Sequence, residues 1–212
     1  MWSLKYFTFS PIQENTYILW NDDNDAIIID PGAYHDEEKD ELKSFIIQNQ
    51  LKPKYLLNTH CHLDHVFGEK FVAETWNLVP QIHANEQQVF HLAEVASKMY
   101  GLPFDNYTGS LHFLKENDII KLGNDELKVF FVPGHSPGHI CFYCAKENFV
   151  ISGDVLFKGS IGRSDLPGGN FDLLMESITT KLLVLPDETK VYSGHGPVTT
   201  IGEERKSNPF LV

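Results

Sequence analysis

Thr59-His60-Cys61-His62-Leu63-Asp64-His65 is the stretch that decides how this chain is read. Four side chains able to hold a transition metal, His60, His62, Asp64 and His65, fall within six residues, directly after the apolar run Tyr55-Leu56-Leu57. That run has the look of a strand, and in extended chain residues two apart point to the same side. His60 and His62 can therefore reach one ion together, while Cys61 points away and packs. Asp64 and His65 lie where the chain turns toward a helix, so they can aim at a second position nearby. Neutral imidazole and carboxylate suit zinc and related divalent ions.

Composition narrows the class. The 212 residues suit one domain with a proper core, and we expect a single domain over 1–212. A hydrophobic content of 42% with 22% charged residues is ordinary for a globular protein. The net charge of −12, with Arg163 and Arg205 the only arginines, argues against a nucleic-acid partner, because phosphate binding needs a positive surface. No run approaches the roughly 20 apolar residues of a membrane span. The opening Met-Trp-Ser-Leu-Lys-Tyr-Phe-Thr-Phe-Ser lacks the apolar stretch of a signal peptide. The expected home is the cytoplasm, and the expected partner is a small-molecule substrate. Composition does not speak to oligomeric state.

Three cysteines are too few for a disulfide framework. Cys141 and Cys144 form a Cys-x-x-Cys pair, but the β-branched and aromatic residues around them read as a buried strand. Positions three apart on a strand face opposite sides, which keeps the two sulfurs apart.

Along the chain, strands are expected at Leu4 to Phe9, Thr16 to Trp20, Ala26 to Ile29, Tyr55 to Asn58 and Gln81 to His83. Helices are expected at Asp36 to Asn49, whose acidic first turn suits the helix dipole, at Val66 to Trp76, and at Asn85 to Tyr100, capped by Asn85 and ended by Gly101. The second half repeats the theme, with strands near Asp118 to Ile120, Leu127 to Val132, His139 to Cys144, Phe149 to Ser152 and Val191 to Ser193, and a helix from Phe171 to Leu183. Two such halves predict an α/β fold with two sheets face to face and helices outside, a four-layer αββα sandwich.

The other candidate ligands follow strands, each beside glycine, which lets backbone approach closely. Pro133-Gly134-His135 follows Val132, Gly153-Asp154 follows Ile151 and Ser152, and Gly194-His195-Gly196-Pro197 follows Ser193. His135, Asp154 and His195 complete one ion-binding scheme. His139, at the start of a strand beside a ligand loop, reads as support behind a ligand. His35, His83, His91 and His112 lack partners in sequence and read as structural or exposed.

The order His-x-His-x-Asp-His, then a lone His, an Asp and a final His, resembles the metallo-β-lactamase superfamily, with Asp30-Pro31-Gly32 matching its early turn. The ending Glu204-Arg205-Lys206-Ser207-Asn208-Pro209-Phe210-Leu211 resembles that of glyoxalase II-type hydrolases. The resemblance implies that His60, His62 and His135 hold a first metal, that Asp64, His65 and His195 hold a second, and that Asp154 bridges them. It implies two divalent ions, zinc before iron or manganese. Asp154 stands where a β-lactamase of the common zinc subclass carries cysteine, which disfavours antibiotic hydrolysis.

Two cations sharing a water bring its pKa from about 15.7 toward 7, giving a hydroxide able to attack a carbonyl. Asp64 is expected to orient that hydroxide or take its proton. The substrate implied by the glyoxalase II resemblance is a thioester of the S-acylglutathione kind. Full-length glyoxalase II enzymes carry a C-terminal helical extension that grips glutathione, and the residues after Pro197 are too few to supply one, which leaves the carrier thiol open. Arg163 offers a guanidinium for a substrate carboxylate, against an ion pair with Asp165 that holds its loop. The pattern also resembles persulfide dioxygenases, in which two His and one Asp hold one iron; His60, His135 and Asp154 could form that triad. Lactone hydrolysis and a non-catalytic metal-binding scaffold are the remaining readings.

Overall fold

The computed structural model describes residues 1–212. Its first half runs β1 (Ser3–Phe9), β2 (Glu14–Trp20), β3 (Asp25–Ile29), α1 (Asp36–Gln48) and β4 (Lys52–Leu57). There follow α2 (Leu63–Val66), α3 (Glu69–Trp76), β5 (Pro80–His83), a 3-10 turn (Ala84–Glu86), α4 (Gln87–Met99) and β6 (His112–Leu114). The second half brings β7 (Ile119–Leu122), β8 (Asp125–Phe131), β9 (Ile140–Cys144), β10 (Phe149–Gly153) and a small hairpin of β11 (Leu156–Phe157) and β12 (Ser160–Ile161). It closes with α5 (Phe171–Ser177), a π-helical turn (Ile178–Leu182), β13 (Lys190–Ser193), β14 (Thr199–Thr200) and α6 (Ile201–Ser207).

Period-2 alternation assigns the faces. Tyr17 and Leu19 of β2, Ile27 and Ile29 of β3, Phe142 and Cys144 of β9 and Ile151 of β10 share one buried cluster between two six-stranded sheets. Their neighbours one residue away face outward: Ile18, Ala26 and Ile28 pack under Leu42 and Ile46 of α1 and Val72 and Ala73 of α3. Cys141 and Val150 pack under Leu174 of α5 and Ile201 of α6. Helix, sheet, sheet and helix give the expected four layers. Burying each Ile, Leu or Phe contributes about 1.5–3 kcal/mol, so a one-residue slip in any central strand would expose the whole set. Cys141 and Cys144 lie on opposite faces of β9, and all three cysteines are free and buried.

The sheets run β1-β2-β3-β4-β5-β6 and β14-β13-β10-β9-β8-β7. β3, β4, β5 and β6 are parallel to one another, as are β10 and β13. β8 and β10 both run antiparallel to β9, so they share a direction. The chain therefore leaves β4, β8, β10 and β13 at common edges, and the loops there, with α2 after β4, carry every candidate ligand. Bonds across the sandwich clamp those edges: Asn15 N–H to Gly194 O at 2.7 Å, the Tyr17 hydroxyl to Ser193 O at 2.6 Å, and Ile140 N–H to Thr59 O at 2.8 Å.

Several expected helices differ in detail. The helix expected at Val66 to Trp76 is two, α2 and α3, parted at Phe67-Gly68, where Gly68 N–H bonds Pro31 O at 2.7 Å and a side chain at 68 would press on that same carbonyl. The helix expected at Asn85 to Tyr100 starts as a 3-10 turn whose cap is His83, accepting from Asn85 N–H, while the Asn85 side chain donates to Pro137 O. α5 widens into a π-helical turn at Ile178 rather than running on as α-helix to Leu183. β6, β14, the β11–β12 hairpin and α6 were not expected. The signal for α6 is in the sequence: Thr200-x-x-Glu203 has the capping pattern, and the Thr200 hydroxyl accepts from Glu203 N–H. No helix is long and apolar enough to cross a membrane.

Candidate metal centre

The loop after β4 is extended through Thr59, His60 and Cys61, with His62 at the N-cap of α2. His60 and His62 turn their rings together, 4.7 Å between centroids, while Cys61 packs with Val66, Ile82 and Phe90. The loop after β8 brings His135 to the same place. His62 Nδ1 lies 2.9 Å and His60 Nε2 3.2 Å from His135 Nε2. α2 carries Asp64 and His65 toward His195, with His195 Nε2 at 3.1 Å from Asp64 Oδ2.

Asp154 stands between the two groups. It is reached from β10 through a register shift between Ile151 and Gly153, and Gly153 has φ 49, a conformation that favours glycine. A side chain at 153 would also run into Thr59 and His139. Asp154 Oδ1 lies 3.4 Å from His65 Nε2, and Asp154 Oδ2 lies 3.5 Å from His195 Nε2 and 3.7 Å from His135 Nε2.

The surrounding bonds fix which nitrogen of each ring points inward. His135 Nδ1 bonds Arg163 O at 2.7 Å, and His195 Nδ1 bonds Gln13 O at 3.0 Å; a carbonyl only accepts, so both Nδ1 atoms carry the proton. The Thr59 hydroxyl donates to Asp30, so it must accept from His60 Nδ1 at 3.1 Å. All three rings thus turn Nε2 toward the centre, and when neutral they present its lone pair there. His139 sits behind: its Nε2 accepts Asp154 N–H at 3.1 Å, and its ring stacks on His60 at 4.8 Å between centroids.

Both nitrogens of buried His65 and Oδ1 of buried Asp154 have no hydrogen-bond partner. His65 Nδ1 is 3.1 Å from Asp30 Oδ2, within ion-pair range but not aligned as a hydrogen bond. Orphaned buried atoms beside converging imidazole nitrogens suit a bound cation, and the donor set of His and Asp suits divalent metal ions. The residues present fit such ions. Ligand atoms lie within 4.8 Å of one another in each of the sets His60/His62/His135, Asp64/His65/His195 and His60/His65/Asp154.

Electrostatics divide the two halves. Burial, reinforced by neighbouring imidazoles, holds His60 well below the usual histidine range and brings His62 down to about 3. Burial also lowers His135, against the pull of Asp154. In the other half burial acts the same way but loses. Asp154, Asp64 and Asp30 raise His65, and hydrogen bonds donated to Asp154 and Asp64 lift His195 to about 10. Burial would raise the two carboxyls, yet His65 and His195 hold Asp64 below and Asp154 well below the ordinary range.

Arg163 lies at the rim with its guanidinium engaged by Asp165, at 2.7 and 2.8 Å. It can meet a substrate only by leaving that pair; its contribution here is the carbonyl that orients His135. His35, His83, His91 and His112 lie outside the cluster, His83 stacked on Phe131. Sequence reading missed Thr59, Gln13 and Glu86 behind the ligands. Backbone acceptors such as Gln13 O leave no trace in side-chain identity.

The Metallo-beta-lactamase superfamily model matches residues 10–195. The chain is 38% identical to hydroxyacylglutathione hydrolase GloC of Haemophilus influenzae, over 99% of this chain and 98% of that one. Among solved structures it is similar to the BLEG-1 B3 metallo-beta-lactamase, with a TM-score of 0.91 and 40% identity, covering 99% of this chain and all (100%) of the other. It is also similar to TTHA1623 in a di-iron-bound form, with a TM-score of 0.88 and 37% identity over 98% and 100% of the two chains. The chain belongs to the metallo-β-lactamase superfamily.

Proposed function

We propose that residues 1–212 act as one domain, a hydrolase that holds two divalent ions, zinc first, and cleaves a thioester of the S-acylglutathione kind. The observation that carries this reading is Asp154, whose Oδ1 faces His65 and whose Oδ2 faces both His135 and His195. A carboxylate so placed suits a bridge between two ions, with His60, His62 and His135 on the first and Asp64, His65 and His195 on the second. Similarity to GloC along nearly the whole chain supports the substrate class.

Divalent ions in such a donor set supply Lewis acidity, which polarises a carbonyl oxygen and makes water acidic enough to attack near neutral pH. The chain's own residues do the rest. Asp64 is kept ionised by His65 and His195, so its free oxygen can orient the attacking water or take its proton. The backbone acceptors behind His135 and His195 keep those rings from rotating. Partial exposure of His62 and His195 supports entry of a small-molecule substrate from that side. The three free thiols suit a reducing compartment, and we place the reaction in the cytoplasm, away from nucleic acid and membrane.

The test is a substrate panel under anaerobic conditions with zinc- or manganese-loaded protein: S-D-lactoylglutathione, simpler thioesters, a lactone and a β-lactam. Cleavage of a thioester in preference to the others is the expected result. Inertness on every thioester, with oxygen uptake on glutathione persulfide by iron-loaded protein, would replace the hydrolase with an oxygenase. Preference for the β-lactam would move the chain toward the activity in BLEG-1's name.

A further inference from the structure

Glu86 ends the 3-10 turn ahead of α4, and its side chain is 0% exposed. It touches none of the candidate ligands, yet its carboxylate collects three donors from the two loops that carry them. Oε2 accepts Cys61 N–H at 2.8 Å, on the loop between His60 and His62. Oε1 accepts the Ser136 hydroxyl at 2.5 Å and Gly138 N–H at 2.6 Å, on the loop between His135 and His139. The fit is close: a side chain at 138 would meet Glu86 N at 2.7 Å and Glu86 Cγ at 2.8 Å. The neighbouring Asn85 side chain adds a bond to Pro137 O at 3.3 Å.

We propose that Glu86 is a positioning residue for the His60/His62/His135 cluster, a carboxylate staple that sets the separation of the two loops. This rests on the reading of that cluster as a metal site. The loops leave different sheets, β4 in one and β8 in the other, so sheet pairing alone does not fix their spacing. Hydrogen bonds to an ionised acceptor are the strong ones, and here one group serves both loops at once. Burial raises the carboxyl against its three donors, so the site is costly to leave half-satisfied. The Asp64/His65/His195 cluster has supports of its own, Asp30 at His65 and Gln13 O at His195, and Glu86 bonds none of its ligands.

Glu86→Gln tests this. The amide keeps one acceptor but turns an NH2 toward a donor, so one loop is released. Zinc affinities are read by stepwise competition with a chelator in the full chain. His135→Ala identifies the step belonging to the first cluster. Glu204→Gln is the structural control: Glu204 is also buried and also takes three donors, Thr199 Oγ1, Gly159 N and Asn208 Nδ2, but none lies on a ligand loop. Glu86→Gln is expected to weaken the first step about 10–100-fold and leave the second unchanged. Glu204→Gln should leave both steps unchanged even if it lowers the melting temperature. Ser136→Ala, which removes one bond and keeps the carboxylate, should shift the first step the same way by less, and it decides the matter if Glu86→Gln does not fold. Wild-type affinity in Glu86→Gln, or an equal loss in Glu204→Gln, overturns the proposal. If His135→Ala changes neither step, the metal assignment fails first, and that outcome is distinct from the failure of the staple.

Discussion

Asp30 and His65 meet at 3.1 Å in a fully buried position, Asp30 Oδ2 facing His65 Nδ1. The same carboxylate accepts Thr59 N–H at 2.7 Å through Oδ1 and the Thr59 hydroxyl at 2.7 Å through Oδ2. Asp30 thus ties the end of β3 to both histidine clusters, to His65 directly and to His60 through Thr59. Its backbone sits at φ 51, in the left-handed region where aspartate is among the better-tolerated residues. The turn Asp30-Pro31-Gly32 is therefore part of the metal centre's frame as well as the exit from a strand.

Asp30→Ala leaves two buried donors of Thr59 without partners. At about 1–3 kcal/mol for each orphaned group, the variant should lose roughly 2–6 kcal/mol of stability. Retained ion binding should weaken about 10–100-fold. Thermal melts and chelator competition check both. A variant with wild-type melting temperature would mean that Thr59 finds other partners.

Asp154→Ala and Asp165→Ala separate a bridge from a rim acid. The first removes the group facing both clusters and should lower metal content and turnover together. The second breaks only an ion pair with Arg163 whose side chains are 58% and 69% exposed, and such pairs add little. It should keep both ions. Equal metal retention in the two variants refutes the bridging role.

Metal content after saturation with zinc should approach two ions per chain, because six candidate ligands besides Asp154 divide into two converging sets where one ion needs three or four. Stripping the ions should lower the melting temperature, since a ligand at 100 times its Kd stabilises by about 2.7 kcal/mol. One ion per chain at saturation counts decisively against the dinuclear arrangement.

The features legible in the sequence were those set by short-range geometry. A strand followed by extended chain, or by glycine and then His or Asp, needs only local geometry to aim its ligand, so His60 and His62, and likewise His135, Asp154 and His195, reach the candidate centre. Parallel β10 and β13 then bring Asp154 and His195 to the same edge. The supporting shell was mostly illegible because it is long-range: Gln13 O reaches His195 across 182 residues and Glu86 reaches Gly138 across 52. Helix ends were misplaced where tertiary contacts overrode local signals, as at Gly68 against Pro31.

Glu69 gives a test of a different kind, away from the ligands. It is buried at the start of α3, with one oxygen accepting from Asn58 Nδ2 at 3.1 Å and the other without a partner. Burial pushes its carboxyl well above the ordinary 4.5, more than the Asn58 bond lowers it. A group whose folded pKa is raised holds its proton more tightly when folded, so its stabilisation is complete below about pH 4.5 and is lost as pH climbs through the folded value. Glu69→Gln removes this titration while keeping one acceptor for Asn58. In metal-free protein, the variant's melting temperature relative to wild type should be lowest near pH 4 and rise toward pH 8, by about 2–4 °C for each kcal/mol recovered. A difference that stays flat across that range, or falls with pH, means that Glu69 ionises in the folded protein at least as readily as in the unfolded chain.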